Sequence, residues 1–299
     1  MDNRTLTLLF EGRAGGSLLD ELLFLAAEVC PELEPLLIED VHYHVGRLYE
    51  GRVPGVRGSD LPYHNLRHCR MVVLATMRLF HGLHGEGRFP IDSGMLLRGF
   101  LAASFHDSGM LATDDDPQGD VRDYLYGHET RSALMLRHFA ERCGMPEEIA
   151  RDCATIIKYT DMTSDPALFE AHGEKVQLVG QVVGSADILA QMADRYYLES
   201  LSGLYHEQCA GGVCRHVSAL DLMKKTRQFY NQVVLPRLDI AFSRISAAMR
   251  THFRLRHNID RDLYLENIDK NIAYLEAVIA TCGDSDCFAR HLKRLPPAT

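Results

Sequence analysis

Apolar residues recur three and four positions apart over most of this chain, the spacing that lets a helix bury one face. In LLDELLFLAAEV, residues 18–29, that stripe follows Ser17 and Asp20, which stand at capping-box spacing. Gly144 is placed to close a helix, and Pro146 with Glu147 and Glu148 to open the next. Asp165-Pro166 begins a short helix, and Ser218 with Asp221 caps a long one. Ile268, Ile272, Leu275 and Ile279 share one face of a helix that Gly283 ends. Alternation of period two is nearly absent, and VQLVGQVV (176–183) is the one segment where strand and helix compete. The pattern predicts an all-α chain.

Two irregular stretches interrupt it, the Gly/Pro-rich loop 51–62 and ATDDDPQGDVRDY at 112–124. Each borders a histidine-rich element, so neither reads as a linker. The expected organisation is a helical N-terminal extension, residues 1–50, packed on one multi-helix bundle, residues 51–299. The DDDPQG run is no calcium loop: counted from Asp114, its twelfth position is Leu125, where a bidentate Glu is needed.

At 46% hydrophobic and 24% charged residues the chain has ample material for a large core. Lys+Arg 32 against Asp+Glu 41 give a net charge of −9. Without a basic stripe, a nucleic-acid polymer is a poor partner, whereas a small phosphate ester can still be held by local cations. No basic-then-apolar leader opens the chain, and no run approaches the ~18 apolar residues of a membrane helix. The expectation is a cytoplasmic protein with no membrane partner. None of the eight cysteines forms a CxxC pair, so reduced, mostly buried thiols are expected. Cys209 and Cys214 with His206 and His216 suggest a zinc knuckle only weakly, because their spacing is irregular and Gly-rich.

The candidate chemistry begins at YHNLRH, Tyr63 to His68, which heads the apolar run MVVLATMRLF. On a helix, His64 and His68 would lie about 40° apart on one face. Alone, such a pair reads first as one core histidine and one cap. GMLLRGFLAASFHDSGM, almost wholly apolar up to that point, ends in His106-Asp107, where a carboxylate is costly to bury without a cation or strong donors. VVGSADILAQM sets Asp187 among Gly184, Ser185 and Ala186, again a charge in an apolar helix, with a structural pairing to Arg195 as the alternative. Two imidazoles and two carboxylates make a mixed N/O donor set suited to Zn, Fe, Mn or Mg.

This H…HD…D order resembles the HD-domain metal-dependent phosphohydrolases over roughly residues 60–240, and within them the cyclic-nucleotide phosphodiesterases. Their YHN-x-x-H is matched by Tyr63-His64-Asn65-Leu66-Arg67-His68, and their HD by His106-Asp107. Their TDM turn is matched by Thr160-Asp161-Met162, their AD by Ala186-Asp187, and a Phe seven residues before a Pro by Phe229 and Pro236. There are departures. Met110 stands where HDxxH would have its last histidine, and Thr226 where a purine-reading glutamine would precede Phe229. Gln228 lies on a different helix face. Lys158-Tyr159 replace the paired histidines of HD-GYP relatives, which argues against a cyclic-dinucleotide enzyme of that type. ADILAQMADRYYLESL looks more like general bacterial HD proteins.

The resemblance implies an all-α HD-domain bundle and a metal-dependent phosphoric ester hydrolase. His68, His106, Asp107 and Asp187 would ligate one tight divalent cation, Zn, Mn, Mg or Fe, with Asp107 bridging a second where two bind. Asp107 and His64 carry the catalysis, His64 as proton donor to the leaving oxygen. Tyr63, His128, Thr226 and Phe229 line the substrate, Phe229 by stacking. The implied partner is a small phosphorylated substrate, a phosphodiester such as a cyclic nucleotide, and a homodimer is compatible. A phosphomonoesterase or nucleotidase on the same site is the alternative, as is a nucleotide-binding HD module without turnover.

Overall fold

The helix that organises the molecule starts where its cap dictates. Asn65 is extended, its side chain accepts the backbone N–H of His68 at 3.1 Å, and α4 runs from Leu66–Glu86 to a left-handed Gly87. This corrects the reading of His64 and His68 as two positions on one helix face: His64 lies in the turn before the cap, and His68 in the first helical turn. The computed structural model describes residues 3–59, 61–116, 122–165, 173–282 and 285–294.

Before α4 come α1 (Asn3–Phe10), α2 (Leu18–Val29) and α3 (Pro35–Tyr49); after it, α5 (Ser93–Phe105), α6 (Arg122–Leu125), α7 (His128–Arg142) and α8 (Glu147–Ile157). The second half holds α9 (Glu174–Met192), α10 (Tyr197–Ala210), α11 (Ala219–Phe229), α12 (Ala248–His257), α13 (Leu263–Thr281) and α14 (Ser285–His291). Among the described residues there is no strand, only an isolated bridge between Val56 and Thr113 that joins the two irregular loops. No described helix is long and apolar enough to cross a membrane.

α4 is the hub. It packs against α9, α12, α5 and α2, and α9 in turn lies on α5, α8 and α13. Val72, Leu74, Ala75, Met77, Leu79 and Phe80 of α4 are fully buried, each larger side chain contributing roughly 1.5–3 kcal/mol by leaving water. The N-terminal residues join this same core: Leu22 and Leu25 of α2 and Ile38 and Val41 of α3 are fully buried. Arg78 of α4, also fully buried, donates to the carbonyls of Leu9 and Phe10 and, at 3.0 Å, to the Tyr264 hydroxyl. It thus satisfies carbonyls that α1 leaves open at its C-terminus.

The capping box of Ser17 and Asp20, the Gly144 and Pro146 boundaries and the Ser218 cap all form. VQLVGQVV is helix, inside α9. The long helix after Ser218 widens into π-turns at 230–234 and 237–241, on either side of Pro236, which has no N–H to donate. The predicted helix start at Pro166 and stop at Gly283 lie outside the described residues. The expectation of eight free thiols is corrected at two places. Cys209 with Cys214 and Cys282 with Cys287 form disulfides, their Cα atoms 4.4 and 5.4 Å apart. The first pair also leaves no thiolate pair for a zinc knuckle.

α12 crosses α4 so closely that a Cβ on Gly82 would sit 2.0 Å from the Ala248 carbonyl oxygen. Gly82→Ala is therefore expected to destabilise the chain by about 1–3 kcal/mol, despite alanine's better helix propensity. A lower urea midpoint at unchanged m-value is the readout, and an unchanged midpoint would contradict this packing.

Candidate metal centre

Two helices and the turn that ends a third deliver donors to one point. His68 comes from the first turn of α4, His106 and Asp107 from the end of α5, and Asp187 from the middle of α9. His68 Nε2 lies 3.3 Å from Asp107 Oδ2 and 3.2 Å from Asp187 Oδ1. His106 Nε2 lies 3.2 and 3.7 Å from the same two oxygens, and 3.4 Å from His68 Nε2. His106 donates its Nδ1–H to the Ala103 carbonyl at 2.9 Å, so its neutral Nε2 offers a lone pair. Acceptors therefore face acceptors, and Asp107 Oδ2 is buried without a hydrogen bond of acceptable geometry. Such a point calls for positive charge. The N/O donor set fits a borderline divalent cation held by His68, His106, Asp107 and Asp187.

Without an ion, protons take that place. Burial opposes charging His106, but Asp107, Asp187 and the Ala103 carbonyl push it up to about 9. Burial likewise opposes ionising Asp107, yet His106, His64 and His128 hold its carboxyl well below the usual carboxylate range. His128, the first residue of α7, donates Nδ1–H to the Leu125 carbonyl and sets Nε2 3.4 Å from Asp107 Oδ1 and 3.5 Å from Glu129. Burial is again outweighed, chiefly by Asp107, and His128 also rises to about 9. Asp107 thus turns one oxygen to His68 and His106 and the other to His128.

The backbone around Asp107 is clamped. Gly109 lets the turn after it approach α7 so closely that a Cβ would fall 2.1 Å from the His128 carbonyl oxygen. Ser132 accepts the Gly109 N–H at 2.8 Å and donates to the His106 carbonyl at 2.5 Å.

His64 is 9% exposed and its ring lies 5.9 Å from that of His128. Its Nδ1 is hydrogen-bonded to Glu207 of α10, whose other oxygen accepts the Tyr63 N–H at 2.7 Å. Tyr63 stacks on His68, ring centroids 5.8 Å apart. The structure therefore brings together Tyr63, His64, His68, His106, Asp107, His128 and Asp187. Thr226 and Phe229 sit on α11, which packs chiefly on α10 and α13. Thr226 is buried and donates its hydroxyl to the Leu222 carbonyl at 3.3 Å, whereas Phe229 is 38% exposed.

Glu207 and Glu129 were not singled out from the sequence. Glu207 had a signal: it continues the stripe Leu198, Leu201, Leu204 on α10 and is 3% exposed, an acid on an apolar face.

No family model matches the chain, and no curated protein matches it. Among solved structures it is similar to the phosphodiesterase domain of Salpingoeca rosetta rhodopsin phosphodiesterase, at 15% identity and a TM-score of 0.53. That likeness covers 89% of this chain and 88% of the other. It shows a shared helical fold.

The raised imidazoles make the ion-free chain sensitive to pH. Unfolded histidine titrates near ~6.5, so a folded value near 9 contributes stability that is complete below ~6.5 and lost as pH rises towards 9. Asp107 works in the opposite sense, its contribution disappearing as pH falls below ~3.9. The chelator-treated protein should lose a few degrees of Tm between about pH 7 and pH 8, below the range where unfolded cysteines ionise. Asp107→Asn, which removes the charge that raises both histidines, should abolish that slope. A wild-type Tm that is flat or rising over this interval would contradict the assignment.

Proposed function

We propose that the chain is a metal-dependent hydrolase of a small phosphodiester, a cyclic nucleotide being the substrate type that best suits its motifs. The observation that carries this reading is the double presentation of Asp107, one oxygen to His68 and His106 and the other to His128. A carboxylate so placed can serve one ion and bridge to a second. A divalent cation held by these residues would supply Lewis acidity for a phosphoryl oxygen and for water. The remaining work belongs to the chain's own side chains.

His64 is the proton donor. Hydrolysis of an alkyl phosphodiester expels an alkoxide, and protonating that oxygen from a positioned imidazolium is worth ~10²–10⁴-fold. Glu207 holds Nδ1 of His64 and orients the ring, which leaves Nε2 as the exchanging nitrogen. Tyr63 fixes the same carboxylate through its backbone and buttresses His68 by stacking. His128, charged beside Asp107, supplies positive charge for phosphate oxygens.

A phosphomonoester substrate is the second reading, favoured by Thr226. Its hydroxyl is engaged within α11, so this position offers no carboxamide for reading a purine edge. Turnover of bis(p-nitrophenyl) phosphate against p-nitrophenyl phosphate, with Zn, Mn, Mg or Fe supplied in turn, separates the two. Diester preference supports the proposal; monoester preference favours the second reading, and no turnover of either with any metal favours a binding module.

Asp107→Ala should lose bound metal and turnover together, measured by elemental analysis and initial rates. Retention of stoichiometric metal with full activity would refute the site. His64→Ala should keep its metal and lower kcat for an alkoxide leaving group by ~10²-fold or more, while p-nitrophenolate esters change far less. Glu207→Gln should show the same leaving-group dependence in weaker form. Equal losses on both ester types would instead place His64 among the metal ligands.

A further inference from the structure

Away from this centre, α2 and α12 bring a second set of donors together under the C-terminal half of α4. Glu21, His252 and His257 each offer one ligand atom, and these atoms all lie within 4.8 Å of one another. Glu21 is 6% exposed and His252 wholly buried. Nε2 of His252 and Nε2 of His257 are both buried without a hydrogen-bond partner. Two bare imidazole nitrogens beside a buried carboxylate are uncommon unless something is meant to sit between them. His252 Nδ1 lies 3.4 Å from Nδ1 of His81 on α4, the rings edge-on at 5.0 Å. When His252 donates to His81, its Nε2 is the lone-pair nitrogen, as in a metal-bound histidine held by an outer partner.

We propose that Glu21, His252 and His257 form a second cation site that takes zinc, tying the N-terminal extension to α12. Two imidazoles and one carboxylate are a donor set that zinc favours and that magnesium and calcium do not. Burial, reinforced by Arg78, holds His252 well below its usual range, and burial brings His257 down to about 4. Both imidazoles are therefore available without losing a proton.

Two arginines bear on the site. Arg256 holds Glu21 at 3.0 and 3.4 Å and lies over the Phe24 ring, 3.8 Å from its centroid. An incoming cation must displace it. Beside it is a cavity of about 310 Å³, lined by Phe24, Glu28, His81, His84, Gly85, Leu255 and Arg256 itself. Glu28 on the wall of this cavity offers the released guanidinium a second carboxylate. Arg78 is the second, its charge felt by both His252 and His257. It weakens every cation here and so favours the one with the strongest affinity for imidazole.

The site is counted independently of any hydrolysis, so its failure and that of the proposed activity are separable. The full chain, stripped with chelator, is dialysed to equilibrium at micromolar free zinc and analysed for zinc per chain, with circular dichroism to confirm folding. His257→Gln, at the half-buried edge of the cluster, should bind one equivalent fewer than wild type. In an Asp107→Ala chain one equivalent should remain and should vanish when His257→Gln is added. Arg256→Met, which removes the competing guanidinium, should tighten this equivalent by about tenfold or more. Equal zinc content in wild type and folded His257→Gln overturns the proposal, as does unchanged affinity in Arg256→Met. Should Asp107→Ala fail to fold, the comparison of wild type with His257→Gln decides alone.

Discussion

A carboxylate with almost no exposure, pressed against the Nε2 atoms of two imidazoles and cut off from water, is the constraint from which the rest of this structure follows. Asp107 is 4% exposed, and its Oδ2 faces Nε2 of both His68 and His106 within 3.3 Å. With its Nδ1–H committed to Ala103, a neutral His106 presents a lone pair to that oxygen, and burial denies the pair water. Either protons or a cation must enter. The surroundings are built to hold that unstable arrangement still. Ala103 orients one imidazole, Ser132 ties the backbone on both sides of Asp107, and Gly109 lets α7 come close enough to bring His128 to the second carboxylate oxygen.

The scaffold explains how donors so far apart in the chain meet. α4 is buried on nearly every side through its middle, which fixes its axis, and its Asn65 cap fixes where the first turn begins. His68 is thereby held while His64, before the cap, is free to turn to Glu207. One hexapeptide thus supplies two differently anchored imidazoles. Burying so much of α4 also traps Arg78, whose guanidinium finds acceptors at the end of α1 and on Tyr264. The N-terminal extension is joined to the hub by polar bonds as well as by apolar contact.

The all-α architecture was legible because helical stripes and their caps are local: Ser17, Gly144, Pro146 and Ser218 each act within a few residues. The centre was legible where a charge interrupted an apolar stripe, as at Asp107 and Asp187. The relative placement of His64 and His68 was misread because their four-residue spacing was taken as helical, although Asn65 between them is a strong capping residue. Glu207 was missed because its partner His64 is 143 residues away and nothing local links the two. The disulfides carry no motif signal, since neither pair has CxxC spacing, and it is the turn at Gly211-Gly212 that folds Cys214 back on Cys209. Arg78 carried no legible role, since acceptors on α1 and α13 cannot be assigned to an arginine before packing is known.

The two histidine clusters show why residue type alone does not identify such a site. At Asp107 two carboxylates stand among the imidazoles with no arginine paired to either among the described residues, and His106 and His128 are driven towards the charged form. Around His252 the carboxylate of Glu21 is already paired with Arg256, so burial, reinforced by the charge of Arg78, drives the same side chain to the neutral form. A cation arriving at the first cluster competes with protons and gains two anionic ligands. At the second it competes with a guanidinium and gains one. The first arrangement therefore favours a cation the more strongly, close to the ring of His64. The second lies among α2, α4 and α12, so a cation there would tie the packing of the hub itself.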